Sequence, residues 1–327
     1  MQRCISVPAA VLLLTVLVVS EARPQESSLS GEDAESSQDV GILAGHAFIP
    51  SSFIQEPFVR TYFRTGLGFG STASLVAPLA TLNGKPVVGV KGSLLFAMLG
   101  AEYQYALRRW LAVRGRLDVI GRMADETTAL LAQGITLMSG FELGWLFRVS
   151  ESERLLTSAS LGIKNSSTTD VYIQRFVDGI VEAGEVLPGN RLVESIPTLR
   201  GTAGIHGAYV LSRLTGVTIS GNLDYGESLD RSKPDSWYYS VALAFDFNLH
   251  SQSGVPVGFV VGGRTSSAPD VEGLGSGTMQ DIFGRIGYTG SEEFALGLDM
   301  SYQFLPVRGI SEKQNFITAI VDIRLHF

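Results

Sequence analysis

Seventeen ionisable side chains recur on the polar face of short apolar segments, where alternate residues are aliphatic or aromatic. They are Arg64, Glu102, Arg114, Arg116, Asp118, Glu142, Arg148, Arg200, His206, Asp224, Asp246, Arg264, Asp281, Arg285, Asp299, Asp322 and Arg324. Such residues can pair with one another, line a water-filled path, or bind a charged solute. Catalysis asks for more, namely a base within hydrogen-bond reach of a nucleophile. The four histidines do not suggest one. His206 falls mid-segment, His250 and His326 at segment ends, and His46 in the N-terminal region. No phosphate-binding loop, metal-ligand spacing or dinucleotide fingerprint is present, so neither an enzyme nor a cofactor is expected. The net charge of −7 offers no basic surface for nucleic acid.

The elements that carry these residues read as β-strands of period two. Twelve are predicted: residues 58–70, 94–107, 110–122, 135–149, 154–164, 198–211, 215–225, 236–249, 256–265, 278–289, 294–305 and 315–327. In 236–249 Trp237, Tyr239, Val241, Leu243, Phe245 and Phe247 oppose Ser240, Asp246 and Asn248. The last segment sets Ile317, Ala319, Val321, Ile323, Leu325 and Phe327 against Thr318, Asp322, Arg324 and His326. Connections after the even-numbered strands are short and the intervening ones longer, the largest running from 165 to 197.

An amphipathic last strand ending on an aromatic residue resembles the terminal strand of bacterial outer-membrane β-barrel proteins. That resemblance covers residues 58–327 and points to no particular member of the superfamily. It implies an all-β, antiparallel, up-and-down transmembrane barrel, apolar face to lipid and charged face to the lumen, with short periplasmic turns and longer extracellular loops. Outer-membrane lipid and the barrel-assembly machinery are the implied partners, with Phe327 as the assembly signal. A soluble barrel with an apolar interior is disfavoured on size, because eight strands are already just filled by side chains.

The N-terminus fits export. Arg3 precedes the apolar run Ile5 to Val19, with Ser20-Glu21-Ala22 as the cleavage site, so residues 1–22 read as a signal peptide. Cys4 would leave with it. Residues 23–57 form an N-terminal periplasmic segment, acidic to Asp39 and then apolar (Ile42, Leu43, Phe48, Ile49, Phe53, Ile54). The apolar part is read either as a small lumen plug or as a tether.

Function must come from lumen and loops. Twelve tilted strands give a backbone radius of roughly 12 Å, which inward arginines would leave as a narrow path. The expected function is passive passage of small polar solutes; a structural or adhesive barrel acting through its outer loops is the alternative. Folding the hairpin near Thr128 sets Arg114 opposite Glu142, giving a Glu102–Arg114/Arg116–Glu142 cluster. Folding near Ile310 sets Asp299 opposite Asp322, a pair needing a cation from Arg324, Arg285 or Arg64. Wall-stiffening ion pairs and a solute site both fit these clusters. In the 165–197 connection, Thr169 or Asp170 could cap a helix with Ile173, Phe176, Val177, Ile180 and Val181 on one face. That helix would serve as a lid, a lumen constriction or a partner surface. The 123–133 connection could add a helical turn.

Overall fold

A strand with one apolar and one polar face satisfies its backbone only by pairing on both edges, and a sheet of such strands has no unpaired edge only when it closes. The computed structural model shows this outcome. It describes residues 41–72, 75–82, 85–92, 94–124, 135–171, 193–228, 234–267, 277–305 and 314–327. Two short strands, β1 (Ile42–Leu43) and β2 (His46–Ala47), pair with each other. Then come β3 (Tyr62–Thr72), β4 (Leu75–Leu82), β5 (Lys85–Gly92), β6 (Leu94–Arg108), β7 (Leu111–Ala124) and β8 (Ile135–Glu151). The remainder are β9 (Leu155–Val171), β10 (Val193–Val210), β11 (Thr215–Gly226), β12 (Ser236–Asn248), β13 (Val257–Ser267), β14 (Thr278–Tyr288), β15 (Phe294–Leu305) and β16 (Gln314–His326). One helical turn, α1 (His250–Ser253), sits in the β12–β13 connection and stops at Gly254, whose φ of 71° suits glycine.

Twelve of these strands, β3 and β6–β16, form one closed antiparallel barrel in which β16 pairs with β3. β4 and β5 pair as a separate hairpin between β3 and β6. The sequence reading left residues 71–93 as a connection. The signal for a hairpin there is Asn83-Gly84 between the apolar runs 75–82 and 85–92.

Alternation sorts the side chains as the pattern requires. Ile205, Trp237, Phe69, Leu99, Leu161 and Ile282 face outward and are more than half exposed. Asp246, Asp281, Arg285, Asp299, Asp322 and Arg324 face inward and are at most 3% exposed. An apolar exterior around a charged interior is inside-out for water and right for lipid. The aromatics Tyr103, Tyr105, Trp145, Phe147 and Tyr209 lie outward on the parts of their strands nearest the short turns.

Three expectations need correction. Residues 165–171 continue β9 and 193–197 continue β10, paired from Val171↔Val193 through Asn165↔Leu199. Thr169 and Asp170 are therefore ladder residues and not helix caps, because a polar strand beyond the apolar band still satisfies its backbone by pairing. The proposed helical face at 173–181, most of the 123–133 connection, the signal peptide and the acidic segment lie outside the described residues. Arg116, not Arg114, faces Glu142, and Arg114 faces Gly144. Asp299 faces Ile320, and Asp322 faces Gly297. Both hairpins fold about a centre one residue away from the expected one, which moves every partner by two positions and leaves the inward face unchanged.

Candidate functional site

Residues 41–61 run inside the barrel at the end where the connections are short. Each anchor lies within the six residues of its strand nearest that end. Phe48 packs with Leu156, Ala208 and Val210, and Ile49 with Ala244, Val260 and Phe283. Val59 packs with Ala112 and Leu146. The walls make room by omitting side chains. A Cβ at Gly216 would meet the Phe48 ring at 2.5 Å, and one at Gly258 would meet Ile49 Cδ1 at 2.0 Å.

Polar bonds fix the same segment. Asp246 accepts the Ile49 backbone N–H at 2.6 Å and contacts His46 Nε2 at 2.9 Å. Asp299 accepts hydrogen bonds from the Ser51 hydroxyl at 2.8 Å and the Ser52 hydroxyl at 2.7 Å. Ser158 donates to the Pro57 carbonyl, and Gln104 to the carbonyls of Phe58 and Arg60. Glu56 lies between Arg324 at 2.6 Å and Arg60 at 2.5 Å. Burial works against the Glu56 charge, but Arg324 and Arg60 outweigh it and hold its carboxyl down at about 2. Arg60, read from sequence as part of the first strand, belongs to this segment.

Arg285 is the cation between the two buried aspartates. Its Nη1 contacts Asp299 at 2.5 Å and also contacts Asp322, with all three side chains at 0% exposure. Asp322 also accepts from Arg64 Nε at 2.9 Å. Arg324, the other candidate, turns to Glu56 and lies over the Tyr62 ring at 4.3 Å.

Above this floor, cross-strand register assembles a row of charge on seven adjacent strands: Arg324, Arg64, Glu102, Arg116, Glu142, Lys164 and Arg200. Arg114, one step below, contacts Glu142, and Glu102 accepts from the Tyr62 hydroxyl. The expected cluster thus exists, although Arg114 reaches Glu142 diagonally. Arg116 pairs with Asp118 on its own strand at 2.7 Å, and Arg264 with Asp281 at 2.5 Å. Two cavities adjoin the row, of about 200 Å3 and about 400 Å3, sharing Phe53, Arg64, Glu102, Arg116, Lys164 and Arg264. Asp224 lines the smaller one.

Arg148, Arg200, His206 and Phe327 line neither cavity. Arg148 pairs with Glu151 at 2.5 Å beside a short turn. Arg200 donates to the Glu227 carbonyl and stacks on Tyr238. His206 is wholly buried, its Nε2 2.9 Å from the Ser160 hydroxyl and its Nδ1 2.9 Å from that of Ser220. Phe327 faces outward and is 79% exposed. The sequence reading missed Lys164, Tyr62 and the floor residues Ser51, Ser52 and Glu56. Lys164 ends the segment predicted as 154–164, where Ala159, Leu161 and Ile163 alternate with Ser160, Gly162 and Lys164 and so place it on the inward face.

An outer-membrane channel from Pseudomonas putida F1 is similar in fold, with TM-score 0.50 at 12% identity, covering 85% of this chain and 99% of that one. The chain has the outer-membrane β-barrel fold. Two other solved barrels have lower scores. A Pseudomonas aeruginosa FadL homologue gives TM-score 0.48 at 8% identity over 85% of this barrel and 94% of its own chain. The KdgM porin gives 0.41 at 6% identity over 80% and 99%. No protein-family model matches this barrel, and no curated protein matches it by sequence.

Proposed function

We propose that this barrel is a narrow outer-membrane channel for passive passage of small polar solutes, constricted at its periplasmic end by residues 41–61. The supporting observation is the charged row on seven adjacent strands, which opens onto cavities of about 200 and 400 Å3 directly above that segment. Wall-stiffening pairs alone do not call for Lys164, which lines both cavities and has no ion-pair partner among the described residues. The short turns and the segment lie together, which suits the side from which an exported chain inserts. Catalysis is not part of the reading: Ser160 and Ser220 stand within hydrogen-bond reach of His206, but the ring is wholly buried and has no carboxylate among its described hydrogen-bond partners.

Planar-bilayer recording of the full chain and of a deletion of residues 41–57 tests it. Small ohmic steps are expected from the full chain and larger ones from the deletion. Neutralising Glu142 (Glu142→Gln) should move the cation-to-anion permeability ratio toward anions. Silence from both proteins, once shown to be folded in the bilayer, would refute the channel and favour a barrel that acts through its outer loops.

A further inference from the structure

The lumen wall carries a second row that breaks the rule of a polar interior. Ile320, Gly68, Met98, Ile120 and Met138 are mutual register partners across β16, β3, β6, β7 and β8. All four side chains point inward and are partly accessible. The strip is continuous because β3 contributes no side chain. A Cβ at Gly68 would meet Ile320 Cγ1 at 2.8 Å and Met98 Cε at 3.2 Å, so these two chains close over the backbone from either side. Between the strip and the charged row lies a row of mostly small residues, Gly66, Gly100, Gly140 and Ser166, broken by Asp322 and Asp118, which are held by Arg285 and Arg116. The wall therefore reads, moving away from the floor, as charge, then recess, then hydrocarbon.

These three rows line the cavity of about 400 Å3, a volume suited to a small ligand. Its cations are Arg64, Arg116, Lys164 and Arg264, against the carboxylates Glu102, Asp118 and Glu142. Arg64, Arg116 and Arg264 each have a carboxylate already. Lys164 has no ion-pair partner among the described residues and stands in register between Glu142 and Arg200. One side of this cavity thus offers spare positive charge, and the other offers apolar surface exposed to water.

We propose that this cavity binds a small amphipathic organic anion, its carboxylate at Lys164 and its hydrocarbon across the recess on Met98, Ile120, Met138 and Ile320. The proposal rests on the channel reading and sharpens it, naming the solute class that the lumen retains on the way through.

The test is equilibrium binding of acetate, butanoate, hexanoate and hexanol to the full chain in lipid nanodiscs, with empty nanodiscs subtracted. Affinity should climb from acetate to hexanoate, by up to about fourfold per methylene for full burial at about 0.8 kcal/mol each. Hexanol, lacking charge, should bind at least tenfold more weakly than hexanoate. Ile120→Asn, and independently Ile320→Asn on another strand, should flatten the series without weakening acetate. Lys164→Gln should weaken hexanoate but not hexanol. A flat series in the wild-type chain, or hexanol bound as tightly as hexanoate, overturns the site, and neither result depends on a variant folding. Bilayer current separates the two readings. Binding without current refutes the channel and leaves the site, whereas current with a flat series does the reverse.

Discussion

Replacing Arg285 with Met should release the lumen segment while leaving the barrel closed. Arg285 holds two aspartates, and all three side chains are wholly buried. Removing one partner from a buried charge cluster costs about 3–5 kcal/mol, because the remaining charges stay desolvated. Where that cost is relieved depends on what is cheapest to move. β14, β15 and β16 are each held by continuous ladders on both sides. The segment holds to Asp299 by the hydroxyls of Ser51 and Ser52 and one longer bond from the Ser52 N–H. Opening the segment hydrates both aspartates and sacrifices far fewer bonds than opening the wall. Local opening of residues 46–60 should therefore rise by roughly 10²–10⁴-fold, the equivalent of that 3–5 kcal/mol. Hydrogen exchange followed by mass spectrometry in nanodiscs reads this directly, with peptides from residues 294–305 as the internal reference. The double variant Arg285→Met, Asp299→Asn leaves Asp322 paired with Arg64 and should recover much of the protection. Unchanged protection at 46–60 in the single variant, or equal loss along β14–β16, would refute the reasoning.

Two further outcomes follow from other parts of the molecule. Glu56 has a carboxyl depressed from 4.5 to about 2, so its ion pairs stabilise the folded segment fully above about pH 4.5. That contribution falls away as pH drops through the folded value near 2. Protection of residues 54–60 should be flat from pH 7 to 5 and decline below, and Glu56→Gln should abolish that decline; a decline of equal size in the variant would count against the assignment. On the outer wall Ile205 is 71% exposed and lies toward the middle of the apolar band. Ile205→Arg should cost about 2–4 kcal/mol in urea-driven unfolding from lipid vesicles, and a neutral effect would mean that this face does not meet acyl chains.

Strand number and face assignment were legible in the sequence because both rest on period-two alternation, which survives without knowledge of neighbours. Trp237 to Phe247 and Ile317 to Phe327 show it plainly, and every residue of those two sets that was read as outward faces out. Register was not legible to the last step. It depends on where a long connection turns, and a shift of one residue in the turn exchanged Arg114 for Arg116 opposite Glu142. The lumen segment was half legible. Phe48 and Ile49 announced an apolar stretch, but their partners, Gly216 and Gly258, are identified by the side chain they lack. The apolar row went unseen because its members sit in runs such as Ala97-Met98-Leu99, Val119-Ile120 and Ala319-Ile320-Val321. There both faces are apolar, and alternation falls silent. Those silent stretches recur on β6, β7, β8 and β16, and their recurrence was the available signal.

The seam between β16 and β3 has a consequence for how the barrel chooses its closure. Arg324 and Arg64 are direct register partners there, a like-charge pairing that two strands alone would avoid. A slip of two residues would set Arg64 opposite Asp322 and keep every side chain on its proper face. The observed register is tolerable because Glu56, which belongs to neither strand, takes Arg324, while Ser52 and Asp322 take Arg64. The segment in the lumen thus acts as a gauge laid across the join. Without it, the observed match would keep a like-charge pairing that the slipped match removes.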